Sequence, residues 1–525
     1  MGLYLNIGNQ NFAEFSRTQY FVDKSQLINK LLKKDITGKF VCNSRARRFG
    51  KSVTADMLVA YFSKGADSRH LFAPLKCVKD ALFLESMNAY DTIFVDIQAQ
   101  FKEAEFENEE PNRYISRKIV RELQTEYADI ELGEMSVMNA LSTIYDKKGS
   151  RFVIIFDEWD YPIREFGEED PHRRAYTELL RGLFKNNAAK SYIRLAYLTG
   201  IMPIVRTKGQ SAVNNFVEYT MTNPMDLAQD IGFTEEEVFS LCERAGVDFE
   251  QMKEWYNGYD FNGIAMYNPL SVVRAVSTKR FQQYWSVTGT YGDIDDLISR
   301  NFDGLREDII RMLSGNRVAV NVSNGKNDLQ FFKNKSEVLT ALIHLGYFAC
   351  DAKTQEAYVP NKEIQEVFYQ YMEDNESDDL SRFMKVSGRI LGAVMEGDAA
   401  ETARQIQSVH NDFVSSIEYN DENSLSCTIM IALISAFRHY HKPIREFPAG
   451  KGFADIVYLP RSNHSGRPVI VVELKWDKSA EATVAQIRKK QYPESLREYS
   501  GEILLVGIDY DKKSKEHSCV IESVR

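Results

Sequence analysis

The chain is short of the residues that build metal clusters and disulfide frameworks. Its 525 residues include six cysteines, Cys42, Cys77, Cys242, Cys350, Cys427 and Cys519, scattered without a CxxC pair. Neither a structural zinc site nor a disulfide scaffold is therefore expected, and a reducing cytoplasm suits the chain. The eight histidines show no metal-ligand spacing. No apolar run approaches the ~20 residues that cross a bilayer, and no N-terminal stretch combines a basic start, an apolar core and a small-residue cleavage site. A soluble, cytoplasmic protein with no membrane partner is expected. Charged residues reach 27% without long blocks of one sign, which argues against a solvated disordered tail. No internal repeat or low-complexity segment stands out.

What is present is ample material for packed cores: 44% apolar and 12% aromatic residues. The length exceeds one typical core, so several domains are expected. The net charge of −10 is uneven, because residues 431–525 hold 16 Lys plus Arg against 12 Asp plus Glu. A mildly basic end on an acidic chain is compatible with a phosphate-backbone partner, since cationic side chains displace condensed counterions.

The first 200 residues alternate short apolar runs with amphipathic stretches, the pattern of an α/β fold with a parallel sheet between helices. Buried strands are expected at Lys39–Cys42, Thr92–Ile97, Phe152–Phe156 and Ile193–Thr199, with helices at Ser52–Phe62 and Ala175–Phe184. From Thr234 the texture turns helical, opened by a Thr234…Glu237 capping box. The expected organisation is a nucleotide-binding core over 1–232, a helical lid over 233–291, a helical linker over 292–420 and an α/β domain over 421–525. Within the linker, 336–368 fits either a winged helix or a plain helical segment with one hairpin.

Gly50-Lys51-Ser52 follows an apolar strand and opens a helix. Phosphate binding needs backbone N–H groups at a helix N-terminus, a glycine allowing close approach and a lysine for the terminal phosphates. Gly50 and Lys51 fit these needs, and the Ser52 hydroxyl can ligate Mg²⁺. The first glycine of GxxxxGK[ST] would fall at Arg45, so this tripeptide alone is weak and a surface turn is the plain alternative. The second element is stronger: Phe152-Val153-Ile154-Ile155-Phe156 ends in Asp157-Glu158, a buried strand delivering two carboxylates where ligands of α/β sheets bind. Asp157 is the candidate Mg²⁺ ligand, and Glu158 the candidate group polarising the attacking water. Thr199, ending another strand, is a candidate γ-phosphate sensor or simply a strand end. Arg47 and Arg48 are candidates for touching phosphate or a neighbouring subunit of a homo-oligomer, against the alternative of solvated loop arginines. With Phe49 and Val53 they complete the expected ATP-binding set.

Tyr20-Phe21-Val22-Asp23-Lys24-Ser25, Arg45-Ala46-Arg47-Arg48-Phe49-Gly50-Lys51-Ser52 and Phe156-Asp157-Glu158-Trp159-Asp160-Tyr161-Pro162 together resemble the bacterial AAA-ATPase-like family. Thr199-Gly200-Ile201, Asn214-Asn215 and Trp255-Tyr256-Asn257-Gly258-Tyr259 extend the resemblance over roughly residues 5–290. In that family the first Walker glycine is commonly replaced, as in RPRRFGKS, and Ala46 here stands where proline is usual. The resemblance implies an ATPase core and no settled cellular role.

Near the end, Asp455 lies on one apolar segment and Glu473 and Lys475 on the next, Val469–Lys475. Residues two apart on a strand share a face, so Glu473 and Lys475 project together, and an antiparallel neighbour would bring Asp455 beside them. Two carboxylates and a lysine can bind Mg²⁺ and orient a water for phosphodiester cleavage, the alternative being a cross-strand salt bridge. Glu473-Leu474-Lys475-Trp476-Asp477, with Ala485-Gln486-Ile487-Arg488-Lys489-Lys490-Gln491-Tyr492 behind it, resembles the PD-(D/E)xK nuclease superfamily. That resemblance implies Asp455 and Glu473 as metal ligands, Lys475 as catalytic lysine and Gln486 as an orienting residue. Glu422 and Glu446 are the candidates for a further acid. The expected function is an ATPase controlling a Mg²⁺-dependent nuclease that acts on nucleic acid, DNA before RNA. The alternative is an ATP-driven signalling or defence switch whose C-terminal domain only binds. A mechanical ATPase acting on protein ranks last, since no pore-loop signature is evident.

Overall fold

The computed structural model describes residues 2–204, 213–285, 297–298, 301–322, 332, 334–374, 379–414, 422–449, 452–461, 466–476, 496 and 502–524. The chain divides into two units, one of Met1–Thr290 with Ala319–Ile364, the other of Tyr291–Val318 with Gln365–Arg525.

The first unit is built on five parallel strands, β1 (Phe40–Ser44), β2 (Asp91–Asp96), β3 (Phe152–Asp157), β4 (Ile193–Gly200) and β5 (Val217–Tyr219), in the order β2-β3-β4-β1-β5. β1 and β3 are buried at every position, as the apolar runs require of strands covered on both faces. One face carries a core that includes Ile93, Ile115, Leu141, Ile154 and Tyr176. The other packs Leu27, Leu31, Met57, Leu58 and Tyr197. The expected strand and helix positions are met to within a few residues, except that the helix ending at Phe184 starts at Pro171, where Asp170 caps it and Pro171 occupies the first turn.

A three-stranded sheet follows, β6 (Phe233–Thr234), β7 (Tyr259–Asp260) and β8 (Ala265–Tyr267), in the order β6-β8-β7. The helix Glu235–Ala245 starts with the expected capping box, Thr234 accepting from the Glu237 amide while the Glu237 side chain accepts from the Thr234 amide. The helix Pro269–Thr278 is capped by Asn268, whose side-chain amide also donates to the Arg47 carbonyl at 3.1 Å. One residue thus caps this helix and holds the loop before Gly50. Gly258 owes its identity to space as well as to its φ of 115°: a Cβ there would lie 1.8 Å from the Pro360 carbonyl oxygen. Beyond a short strand β9 (Val318–Ala319) and the helix Lys335–Leu345, the hairpin of β10 (Ala349–Asp351) and β11 (Glu356–Tyr358) leads to the helix Lys362–Asp374.

Glu363, buried in the first turn of that helix, accepts three hydrogen bonds on one oxygen, from Ser271 Oγ (2.9 Å), Tyr284 N (2.8 Å) and Trp285 N (3.1 Å). Burial outweighs these donors and pushes its carboxyl up to about 7. The folded state then holds a proton that the unfolded chain releases above the ordinary carboxylate range. This contribution to stability is complete below the unfolded pKa of 4.5 and is lost as pH rises through about 7. Glu363→Gln keeps the acceptor and removes the titration. Its expected effect is a stability gain on the order of 2 kcal/mol at pH 8 and none at pH 4. Parallel melting-temperature curves for the two proteins across that range would contradict this.

The second unit carries helices, among them Asp379–Glu396 and Ala399–Val409, and a five-stranded sheet: β12 (Ile444–Ala449), β13 (Gly452–Tyr458), β14 (Val469–Trp476), β15 (Ile503–Asp511) and β16 (Glu516–Val524). Neighbours are antiparallel except β14 and β15, which run parallel. Val457, Val471, Leu496 and Leu505 contribute to a core on one face. No helix among the described residues is long and apolar enough to cross a membrane.

Candidate functional site

The loop from Arg45 to Gly50 joins β1 to the helix Lys51–Phe62, and Gly50 takes the left-handed conformation that starts the helix. Arg45, standing where a first phosphate-loop glycine would be, has no exposed surface. Its guanidinium donates to the carbonyls of Ser44 (3.1 Å), Tyr219 (3.0 Å) and Leu227 (3.4 Å) and lies over the Phe261 ring. It is a staple that ties the loop to β5 and to the 3-10 turn Met225–Leu227. The loop geometry that a glycine would permit is here held by side-chain hydrogen bonds. Accordingly, Arg45→Gly is expected to lower stability by about 3 kcal/mol, through three stranded carbonyls and a cavity, without raising nucleotide affinity. An unchanged denaturation midpoint would refute the staple. Phe49 is also buried, its ring edge-on to Tyr259 and stacked near Phe261.

Because β4 lies between β1 and β3, the strand ends form a row. Asn43 pairs with Thr199, Thr199 with Asp157, and Asp157 with Asp96 on β2. Asn43, Thr199 and Asp157 are all buried, and the Thr199 hydroxyl has no hydrogen-bond partner among the described residues. Burial raises the Asp157 carboxyl to about 6, with Glu158 and Asp96 adding to the shift, while the Ser52 hydroxyl and Lys51 oppose it. Lys51 is buried too; its ammonium donates to the Ala46 carbonyl at 3.1 Å, and its pKa is lowered by burial against the pull of Glu158, Asp157 and Asp160. A buried carboxyl this close to a serine hydroxyl fits a hydrated divalent cation, whose charge would restore its ionisation.

Glu158 has a left-handed backbone (φ 48°) and is partly exposed. Arg164, on the short helix Tyr161–Glu165, donates to Glu158 at 3.2 Å and pairs with Asp160 at 3.0 Å. Asp160 in turn accepts from the amides of Ile201 (3.2 Å) and Met202 (2.8 Å), just beyond β4. Gly200 is needed here, since a Cβ would lie 2.3 Å from the Asp160 carboxylate.

A cavity of about 780 Å³ opens at this end of the sheet. Arg47, Arg48, Phe49, Gly50, Lys51, Ser52 and Val53 line it together with Glu158 and Arg164. Its apolar walls include Phe15, Tyr20, Phe21, Ile231 and Leu270. A polar end with cations and helix N–H groups, and an apolar end with aromatic rings, is the arrangement that takes a phosphate chain and a planar base. Thr199 and Asp157, both buried, are not among the residues lining it.

In the second unit, Ile456 pairs with Val472, and one further step of that antiparallel register sets Asp455 opposite Glu473. Asp455 accepts from the Leu474 amide at 2.6 Å, which fixes its carboxylate against β14. Lys475 lies 3.8 Å from the Glu473 carboxylate and donates to the Leu474 carbonyl at 2.8 Å. Glu473 has no exposed surface. Glu446 sits between Arg445 and Phe447, whose partners Ile456 and Ala454 flank Asp455, and it has a φ of 50°. It is therefore the acid that the register brings to the same row. The side chain of Glu422, at the start of the helix Glu422–Ala432, and the whole of Gln486 lie outside the described residues. Among the described residues, no three His, Cys, Asp or Glu side chains gather as a metal cage.

Sequence reasoning did not single out Asn43, Asp160, Arg164 or Asp509 as neighbours of these sites. Asp509 is buried on β15 directly opposite Lys475 in the parallel register. Asp160 stood within the Phe156–Pro162 motif, but its partners 41 and 42 residues away left no local signal.

Comparison with known proteins gives matches for both regions. A family described as "Predicted AAA-ATPase" matches residues 6–208, and one described as "PD-(D/E)XK nuclease superfamily" matches residues 420–518. A curated relative, an uncharacterized protein in the vnfD 5′ region of Azotobacter chroococcum mcd 1, is 26% identical over 309 residues, 56% of this chain. The chain spans about half, 56%, of the length of that relative. Among solved structures, the Aeropyrum pernix ORC2 protein (ADPNP-ADP complexes) aligns at 12% identity and a TM-score of 0.30, over 71% of this chain and 100% of that one. Cdc6p from Pyrobaculum aerophilum aligns at 10% identity and a TM-score of 0.27, over 66% and 91%. The parallel sheet and its phosphate-type loop thus lie within the stretch that matches the predicted AAA-ATPase family, residues 6–208, and the mixed sheet of the second unit falls largely within the stretch that matches the PD-(D/E)XK nuclease superfamily, residues 420–518.

Proposed function

We propose that the protein binds and hydrolyses ATP at the β1–β3–β4 end of its first sheet, and that this controls a Mg²⁺-dependent nuclease centred on β13 and β14. The observation that carries the reading is the convergence of Lys51, Ser52, Asp157, Glu158 and Thr199 on one end of one parallel sheet, beside a cavity with aromatic walls. In this reading Lys51 turns from the Ala46 carbonyl to the β- and γ-phosphates, and the backbone around Gly50 cradles them. Arg47 and Arg48 add positive charge at the cavity wall. Ser52 and Asp157 hold Mg²⁺, which when bound screens the phosphate charge. Thr199 offers its hydroxyl toward the terminal phosphate, and Glu158 orients the attacking water.

In the second unit, Asp455 and Glu473 hold the metal and Lys475 supplies positive charge to the nucleophile. Gln486 is the orienting residue by resemblance. The substrate is a phosphodiester of nucleic acid, consistent with the basic excess of residues 431–525. For ATP to switch cleavage it must bind one arrangement of the protein more tightly than another, by ~5.5 kcal/mol for a near-complete switch. The test is incubation of purified protein with Mg²⁺ and linear, circular and single-stranded DNA and RNA, with and without ATP. The reading expects phosphate release and ATP-dependent cleavage of at least one substrate.

One observation favours a second reading, in which the C-terminal domain only binds nucleic acid or protein: Glu473 has no surface open to an incoming metal or substrate. That reading expects ATP-dependent binding that survives Lys475→Ala and fails in Lys51→Ala.

A further inference from the structure

Glu158 is not placed by its own strand. It follows the last residue of β3, carries a strained left-handed backbone, and keeps about a quarter of its side chain exposed, 23%. A carboxylate at such a position has several rotamers within reach, and orienting a water needs one of them. What restricts it is Arg164. Its side chain is 7% exposed, and its guanidinium reaches two carboxylates at once, Glu158 at 3.2 Å and Asp160 at 3.0 Å. Asp160 is itself immobilised, its side chain 1% exposed and one oxygen held by the Ile201 and Met202 amides. The ring Trp159-Tyr176 closes the support: the Trp159 amide donates to the Thr199 carbonyl at 3.1 Å, and the Tyr176 hydroxyl donates to the Trp159 carbonyl at 2.8 Å. The chain Glu158–Arg164–Asp160–Ile201 therefore ties the water-orienting acid to the segment immediately after Thr199. Arg164 also lines the nucleotide cavity, so the tie runs along its wall.

We propose that Arg164 is a positioning residue for hydrolysis, which aims the Glu158 carboxylate and locks it to the Thr199 end of β4 through Asp160. A planar fork can bridge two carboxylates in fixed directions, whereas an ammonium is a point charge that satisfies one. The proposal rests on the reading of Glu158 as the group that orients the attacking water.

The experiment compares wild type, Arg164→Met, Arg164→Lys, Glu158→Gln and the Glu158→Gln/Arg164→Met double variant, measuring steady-state ATP hydrolysis, single-turnover rates and the Kd of a fluorescent ADP analogue. Arg164→Met is expected to lower kcat by about 10- to 100-fold, the loss typical of a misplaced catalytic group, with the ADP Kd unchanged within about twofold. Arg164→Lys is expected to lie between the two. In the Glu158→Gln background the Arg164→Met change is expected to cost no more than about twofold further, because a residue that acts through Glu158 has nothing left to position. Unchanged ADP binding also shows that each variant is folded. The role is overturned if kcat stays at the wild-type value, if ADP affinity falls as much as kcat, or if the two losses multiply in the double variant. Failure of the wild type to hydrolyse ATP would overturn the nucleotide reading and the role of Arg164 with it; hydrolysis by wild type with any of the three results above overturns the role alone.

Discussion

Lys51→Ala is expected to weaken ATP binding at least 100-fold and to leave the fold intact. The ammonium is a buried cation beside Asp157, Glu158 and Asp160, and its desolvation opposes its own ionisation. A triphosphate would supply the compensating charge, so removal of the lysine loses a charge-assisted contact in a low-dielectric site, worth about 3 kcal/mol or more. Stability is expected to move little, since the wild-type protein already bears the cost of holding that cation away from water. Glu158→Gln separates binding from chemistry. It keeps shape and hydrogen bonding to Arg164, so ADP and ATP should bind normally while hydrolysis falls about 100-fold or more. Equilibrium binding of a labelled nucleotide beside phosphate release measures both. Wild-type affinity in Lys51→Ala, or wild-type turnover in Glu158→Gln, would remove the nucleotide site from this end of the sheet.

Glu473→Gln and Lys475→Ala are each expected to lower nucleic-acid cleavage by about 1000-fold while leaving binding of uncut substrate nearly unchanged. The two carboxylates that would hold the metal are Asp455, pinned to the Leu474 amide at 2.6 Å, and Glu473, directly across from it. Loss of one charge from a two-carboxylate metal site removes most of the attraction for the cation, and with it both water activation and screening of the phosphodiester. Lys475 brings a positive charge within 3.8 Å of Glu473. Gel assays of cleavage against filter binding in chelator separate the two effects. Cleavage at wild-type rates in both variants would place the chemistry elsewhere or leave this domain as a binding module.

The parallel sheet was legible because β1 leads with an apolar run into the loop before Gly50, and β3 is an apolar run that ends in Asp157 with Glu158 next. Their side-chain alternation carries no amphipathic signal, and the flanking glycine and acids mark which end is functional. Strand order was not legible: placement of β4 between β1 and β3, which puts Thr199 beside both Asn43 and Asp157, depends on tertiary packing. Arg45 shows a different limit. Its sequence position marked a defect in the motif, and its buried hydrogen bonds to Tyr219 and Leu227 show a substitute for the missing glycine. Such partners, more than 170 residues away, leave no trace in local pattern. The C-terminal pair was legible through period-two spacing of Glu473 and Lys475, and the antiparallel neighbour supplied Asp455. Asp509 escaped notice because parallel pairing with a residue 34 positions away has no local signature.

The most direct test of the account is cleavage of nucleic acid by wild type and Lys51→Ala, each with Mg²⁺ in the presence and absence of ATP. The account predicts that ATP changes the cleavage rate of wild type at least tenfold and does not change that of Lys51→Ala. Cleavage by wild type at one rate with and without ATP, while ATP is being hydrolysed, would contradict control of the nuclease by the nucleotide site.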